Sequence, residues 1–287
     1  MLLLKSHGLG NDYLVVDEAS APLTPEVAIA LCDRNRGIGA DGVLEPGPST
    51  RATVTATLRI WNPDGSQAEK SGNGLRIFAH WLVNHREAPC ALSIEVAGSL
   101  VSCLVEGDQV TVNMGAASFE PGRVPAVRHL VREPVDVCGV SLEITAVGLG
   151  NPHCVVFVED DLDGLPWRDW GSWLETCALF PNRTNVQVAR IHDGGRIEAR
   201  IWERGAGETQ SSGSSACAVA AVAHHLGWAQ EDIRIHMPGG ALSVEIGTDG
   251  TMQLRGPVQE IGKVRLCSDF EKRIGIGMDS RDANLDA

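Results

Sequence analysis

Gly8-Leu9-Gly10-Asn11 returns as Gly148-Leu149-Gly150-Asn151, an offset of 140 residues. Each copy runs into an apolar stretch, YLVV at 13–16 and CVVFV at 154–158. Trp61 stands ten residues before Ser71-Gly72, and Trp202 stands ten before Ser212-Gly213, an offset of 141. Two matches in one order and at nearly one spacing mark an internal repeat, not a chance likeness of Gly-rich turns. The chain reads as two copies of one half, each of roughly 120–140 residues.

Within each half the pattern is strands plus one marked helix. Residues 53–61 (TVTATLRIW) and 197–202 (IEARIW) alternate and carry β-branched residues, as strands do. A polar turn and a Ser-Gly pair follow in both copies. Ser71 can cap a helix whose Leu75, Phe78, Ala79 and Leu82 fall at helical spacing. Ser212 holds the same place before 217–223 (CAVAAVA), with Gly227 as the expected stop. That second helix has no polar face, so other elements must enclose it. The expected fold is α/β (α+β), with two pseudo-symmetric domains, 1–118 and 119–262, each wrapping strands around a central helix. Residues 121–140 are expected to link them, 263–275 to return to the first domain, and 268–287 to be a frayed tail.

Composition limits the rest. The 287 residues are 43% apolar and 21% charged, enough for a core without disulfide or metal staples. The net charge of −13 argues against nucleic acid and anionic membranes as partners. No apolar run approaches a membrane span, and the first residues lack a cleavable signal, so a cytoplasmic protein is expected. The eight cysteines are scattered, without C-x-x-C or zinc spacing, and read as free thiols. Neither a metal nor a cofactor is expected. Residues 37–42 (GIGADG) follow no strand and complete no dinucleotide fingerprint.

A two-fold repeat brings equivalent features face to face, where small-molecule sites often lie. Here those features are two helix N-termini, whose free N–H groups and partial positive charge suit a carboxylate. Polar clusters at equivalent element ends, Asn62/Asp64, Asn151/His153, Asn182/Asn185 and Glu203/Arg204, point to a site and not to capping alone.

Six strings then carry a resemblance: HGLGNDYLVVD (7–17), NRGIGADGVL (35–44), NPDGSQAEKSGNGLR (62–76), GNPHCVVF (150–157), FPNRTNVQV (180–188) and ERGAGETQSSGSSACA (203–218). In order and spacing the chain resembles the diaminopimelate epimerases, cofactor-independent amino-acid epimerases with a pseudo-symmetric two-domain fold. The resemblance covers residues 3–262. It implies that Asn11, Asn62, Asn151, Asn185, Glu203 and Arg204 hold the polar groups of a small amino-acid substrate. It also implies that the backbone at Gly72-Asn73 and Gly213-Ser214 binds the α-carboxylate, and that His153 and Glu203 adjust or relay protons. Two helix N-termini aimed at that carboxylate would stabilise the enediolate formed when the α-proton leaves. Inversion needs a base on each face of the carbon, and a repeat supplies one from each half.

The family's two bases are cysteine thiols, whereas this chain carries Ser71 and Ser212 at those positions. A thiol of pKa about 8.5 can be brought within range at a helix N-terminus. A hydroxyl acts as a base only beside an activating group. Three readings stay open: a Cys-to-Ser variant or a slow epimerase, a relative in which His153, Glu203 or water takes the proton, and a binding homologue without catalysis. A serine hydrolase built on Ser212, His153 and Glu203 is the alternative from another class, although no G-x-S-x-G surrounds Ser212. The sequence is silent on oligomeric state, with a homodimer among the options.

Overall fold

The computed structural model describes residues 1–19, 22–49, 51, 53–192 and 195–276. The first half runs β1 (Leu2–Gly8), β2 (Asn11–Glu18), α1 (Pro25–Cys32), β3 (Val43–Gly47), β4 (Ala56–Trp61), β5 (Gln67–Ala68), α2 (Gly72–Arg86), β6 (Ala91–Val96), β7 (Ser99–Glu106) and β8 (Gln109–Ala116). After it come β9 (Glu133–Val137), β10 (Val140–Gly148), β11 (Pro152–Phe157), α3 (Trp167–Thr176), β12 (Asn185–Ile191), β13 (Arg196–Glu203) and β14 (Gly207–Thr209). The order closes with α4 (Gly213–His225), β15 (Asp232–Met237), β16 (Gly240–Ile246), β17 (Thr251–Pro257), β18 (Gln259–Arg265) and α5 (Ser268–Arg273).

The repeat is visible strand by strand. β1 is antiparallel to β2, β2 parallel to β3, β3 antiparallel to β4, β4 parallel to β6, and β6, β7 and β8 antiparallel in turn. From β10 the same sequence of pairings recurs through β11, β12, β13, β15, β16 and β17. The outer partners correspond too: β18 is antiparallel to β1, and β9 to β10. β8 and β17, the last strands of the two series, pair antiparallel and join the halves, with Val112 opposite Leu254.

α2 and α4 lie inside this frame. Both belong to one apolar cluster that also takes side chains from strands of each half. α4 is buried along almost its whole length, Ala216 to Ala223 included. Its alanines let strands approach from every side, which a helix of larger side chains would prevent. Where the two helices begin they touch backbone to backbone. A Cβ on Gly72 would lie 3.1 Å from Gly213 Cα, and one on Gly213 would lie 3.0 Å from Gly72 Cα. Leu254 covers the same point, 2.7 Å from a Cβ built on Gly213.

Several expectations are corrected. Residues 121–140 include a strand, β9, which edges β10. β4 starts at Ala56 and not at 53. Ser71 caps α2, accepting from Gly74 N at 3.0 Å, whereas Ser212 makes no cap bond. Part of the expected tail is helix α5, and Ile276 beyond it packs with Leu266, Phe270 and Ile274 on the first half's second core. The remainder of that expected tail, 277–287, lies outside the described residues.

Because overpacking typically costs about 1–3 kcal/mol, Gly213→Ala should lower the urea midpoint at an unchanged slope. A midpoint equal to that of the unaltered chain would mean that the helix starts part freely.

Candidate active site

The site begins at the Gly72–Gly213 contact and is drawn together by hydrogen bonds between the halves. Asn73, in the first turn of α2, donates to Asn11 Oδ1 at 2.9 Å and to the Ser211 carbonyl at 3.3 Å. The Ser211 hydroxyl donates to the Gly8 carbonyl at 3.1 Å. Asn11 in turn donates to Asp41 Oδ2 at 2.8 Å, and the Asp12 amide shares that oxygen at 3.1 Å. Arg34 bridges Asp12 and Asp41, at 2.8 and 2.6 Å.

Arg76, one turn further along α2, is fully buried. It donates to Asn73 Oδ1 at 2.7 Å and to the Gly72 carbonyl at 3.3 Å, while its Nε has no partner. Burial pulls its pKa down to about 10, so it remains charged at neutral pH. Among the described residues it forms no ion pair with a carboxylate. A buried charge without a counter-ion is costly, and an anion bound nearby would relieve it.

The two serines sit in different surroundings. Ser71 Oγ lies 3.0 Å from the hydroxyl of Tyr13. Burial raises the Tyr13 phenol, and the nearby Glu203 and Asp41 charges push it the same way, so it stays protonated. Ser212 faces Glu203 instead. Burial raises the Glu203 carboxyl, and the interaction with the Ser212 hydroxyl works against that rise.

His153 is fully enclosed. Gln187 donates its amide to His153 Nδ1 at 3.1 Å and to Ser215 Oγ at 3.0 Å. The ring proton is thereby placed on Nε2, which donates to Asn151 Oδ1 at 3.0 Å. Burial lowers the imidazole to about 3, so it is neutral at working pH. Both ring nitrogens are occupied, and neither reaches Ser212. The Ser212–His153–Glu203 hydrolase relay is therefore not assembled.

Asn185 donates to the Pro152 carbonyl at 2.9 Å and accepts from the Arg204 amide at 3.0 Å. Arg204 is exposed, its guanidinium 3.4 Å from the Asn182 carbonyl. Asn62 lies apart from this network, donating to Ser66 within its own turn at 2.9 Å. Ser214 sits in the first turn of α4, half-buried beside Gly213. Cys217 is buried within α4 and pushed up to about 12, which keeps it a thiol.

The comparisons with known proteins agree with this frame. A model of the diaminopimelate epimerase family matches residues 3–120 and 145–262, one segment in each half. The chain belongs to the diaminopimelate epimerase family. It is an enzyme of the isomerase class. It is 41% identical over 280 residues to "Diaminopimelate epimerase 2" of a Nostoc species, covering 94% of this chain and 97% of that one. It is 39% identical over 271 residues to the diaminopimelate epimerase of Ectopseudomonas mendocina, covering 91% and 98%. In fold it is similar to a probable proline racemase from Agrobacterium radiobacter, at TM-score 0.68 and 14% identity over 93% of both chains.

Of the residues the family resemblance singled out, Asn11 and Asn73 are hydrogen-bonded directly, Asn151 with His153 and Asn185 with Arg204 form separate hydrogen-bonded pairs, and Ser212 lies close enough to Glu203 to influence its carboxyl. Tyr13, Asp41, Ser211, Gln187 and Arg76 were not among them. Position alone offered one signal: Tyr13 stands at the repeat offset of 140 from His153.

His153 also sets a pH dependence. In the unfolded chain a histidine takes a proton below about 6.5. The folded chain refuses one until about 3, so stability from this residue is full above 6.5 and declines as pH falls through that window. Glu203, raised, has the opposite sign: its contribution is lost as pH climbs above the ordinary carboxylate range. His153→Gln should therefore flatten the fall in melting temperature between about pH 6.5 and 4.5. An unaltered slope would mean that the ring is protonated in the folded protein.

Proposed function

We propose that this protein is a cofactor-independent epimerase of a free amino acid, and that the amino acid is diaminopimelate, for which its relatives are named. The substrate sits between the halves, 1–118 and 119–262, in a cytoplasmic enzyme of lysine biosynthesis. One observation carries the reading: two helix N-termini meet at Gly72 and Gly213, backed by a buried Arg76 with no acid partner. Together they form a positive pole whose first-turn amides, among the described residues, donate to no carboxylate. A substrate carboxylate fits there, and the enediolate that forms when the α-proton leaves carries still more negative charge onto the same oxygens. Stabilisation that grows along the reaction lowers the barrier, not merely the ground state.

Asn11, Asn73, Asn151, Asn185, Glu203 and Arg204 are assigned to the remaining polar groups of the substrate, with Asn62 reaching it by a change of rotamer. Ser71 and Ser212 face the reacting carbon from its two sides. As hydroxyls they start far above the thiol range, so turnover is slow compared with a two-cysteine relative.

The test is α-deuterium incorporation followed by NMR in D₂O, with each stereoisomer of diaminopimelate supplied separately. Both should acquire deuterium. Ser71→Cys combined with Ser212→Cys should raise the rate by about 10²-fold or more, within the usual range of acid–base catalysis, and either single change far less. No exchange by the unaltered chain or the double variant, with both folded, would overturn the reading.

A further inference from the structure

The repeat that builds the site does not repeat its chemistry. At an offset of 140, Tyr13 corresponds to His153; at 141, Asn62 corresponds to Glu203 and Ser71 to Ser212. One side of the site thus carries Tyr13, Asn62 and Ser71, none of which changes charge on its own near neutral pH. The other carries His153, Glu203 and Ser212. His153 is neutral with both nitrogens engaged, so Glu203 is the one group there that changes charge.

Hydrogen-bond capacity then orients Ser71. A serine hydroxyl has one proton and two acceptor positions, and a phenol has one proton. Tyr13 is buried, and among the described residues Ser71 Oγ is its hydroxyl's one hydrogen-bond partner. Were Ser71 the donor in that pair, the Tyr13 proton would be left buried without an acceptor, at a cost of about 1–3 kcal/mol. Tyr13 therefore donates. The Gly74 amide donates to the same oxygen at 3.0 Å. Both acceptor positions of Ser71 are filled, and its own proton is left to point into the site. Ser212 is uncapped, its hydroxyl accepts no hydrogen bond among the described residues, and Glu203 is the neighbouring carboxyl that can receive its proton.

We propose that Tyr13 is a positioning residue that fixes the direction of proton traffic, holding Ser71 as the proton donor opposite a Ser212–Glu203 pair that accepts. The proposal rests on the epimerase reading above. In the resting enzyme the α-proton passes to Ser212 Oγ as the Ser212 proton moves to the Glu203 carboxylate. The C–H electron pair enters the substrate carboxylate as an enediolate. Ser71 then gives its proton to the opposite face, and that pair returns to carbon as the new C–H bond. As Ser71 gives up its proton, Tyr13 passes its phenolic proton to Ser71 Oγ along the bond between them, so the charge rests on the phenolate, the weaker base of the two. The proton on Glu203 returns to Tyr13 through solvent, or the altered form accepts the other stereoisomer and runs the steps backwards.

The experiment compares the unaltered chain with Tyr13→Phe and Ser71→Ala, each incubated with one diaminopimelate stereoisomer at a time in D₂O. Two rates are read: deuterium entering the recovered isomer, and formation of the inverted isomer. With the isomer whose α-proton faces Ser212, Tyr13→Phe should lower inversion about tenfold, the effect of one well-made hydrogen bond, while exchange into the recovered isomer stays within about threefold. Ser71→Ala should extend that split. A general structural defect would lower both rates together, and that result, or no change in either, overturns the proposal. Exchange absent from the unaltered chain with both isomers would instead overturn the epimerase reading beneath it. A second measurement is independent of turnover. The chain has a single tyrosine, so ¹³Cζ labelling gives one resonance. It should move in Ser71→Ala and stay in place in Ser212→Ala; a resonance indifferent to Ser71→Ala overturns the hydrogen bond.

Discussion

Two helix starts touching at backbone distance is the constraint from which the rest follows. At a 3.0–3.1 Å approach from a built Cβ to the opposite Cα, neither Gly72 nor Gly213 has room for a side chain. Bringing two positive helix ends together is unfavourable until something negative lies between or beside them. The fold supports that arrangement from outside, with Leu254 over the contact and β8 bound to β17 alongside. It also demands that α4 be sheathed on every side, which explains its alanine-rich sequence. The anion binding proposed for this site would thus be a property of the architecture as much as of any one residue.

Within that symmetric frame the polar groups are unequal. The first half ties its serine to a neutral phenol, and the second ties its serine to a carboxyl whose pKa burial raises. His153 adds no proton-transfer capacity, since Gln187 and Asn151 hold it neutral. Its contribution is to pin Asn151 and the first turn of α4 through Gln187 and Ser215. Duplication explains the scaffold, and divergence at a few positions explains why its two sides differ.

Much of this was legible in the sequence because repeats are periodic signals. The offset of 140–141 located both central helices, and the strands before them, to within a few residues. α1 escaped because eight residues carry little periodicity; α3 does hold Trp167, Trp170, Gly171 and Leu174 at helical spacing, but it starts after Pro166 without a side-chain cap. β9 escaped because it is a five-residue edge strand that carries a proline, Pro134. At the site, residue types were readable but partners were not. Ser71 and Tyr13 are 58 residues apart, and Asn73 and Ser211 are 138 apart. No local pattern encodes contacts of that span. They exist only once the two halves close.

The strand that opens the chain is completed by one from its far end. β1 lies between β2 and β18, with Leu2 opposite Arg265, and the terminal Met1 amine pairs with Glu271. During synthesis on the ribosome, the first half therefore emerges with one edge of β1 bare until nearly the whole polypeptide has been made. An exposed edge strand invites wrong pairing, and long-range closure of this kind is slow. A nascent chain halted after its first half would display that edge and the bare flank of β8 together. Such a fragment would be a client for chaperones, and the two halves, for all their likeness, would be poor candidates for separate expression.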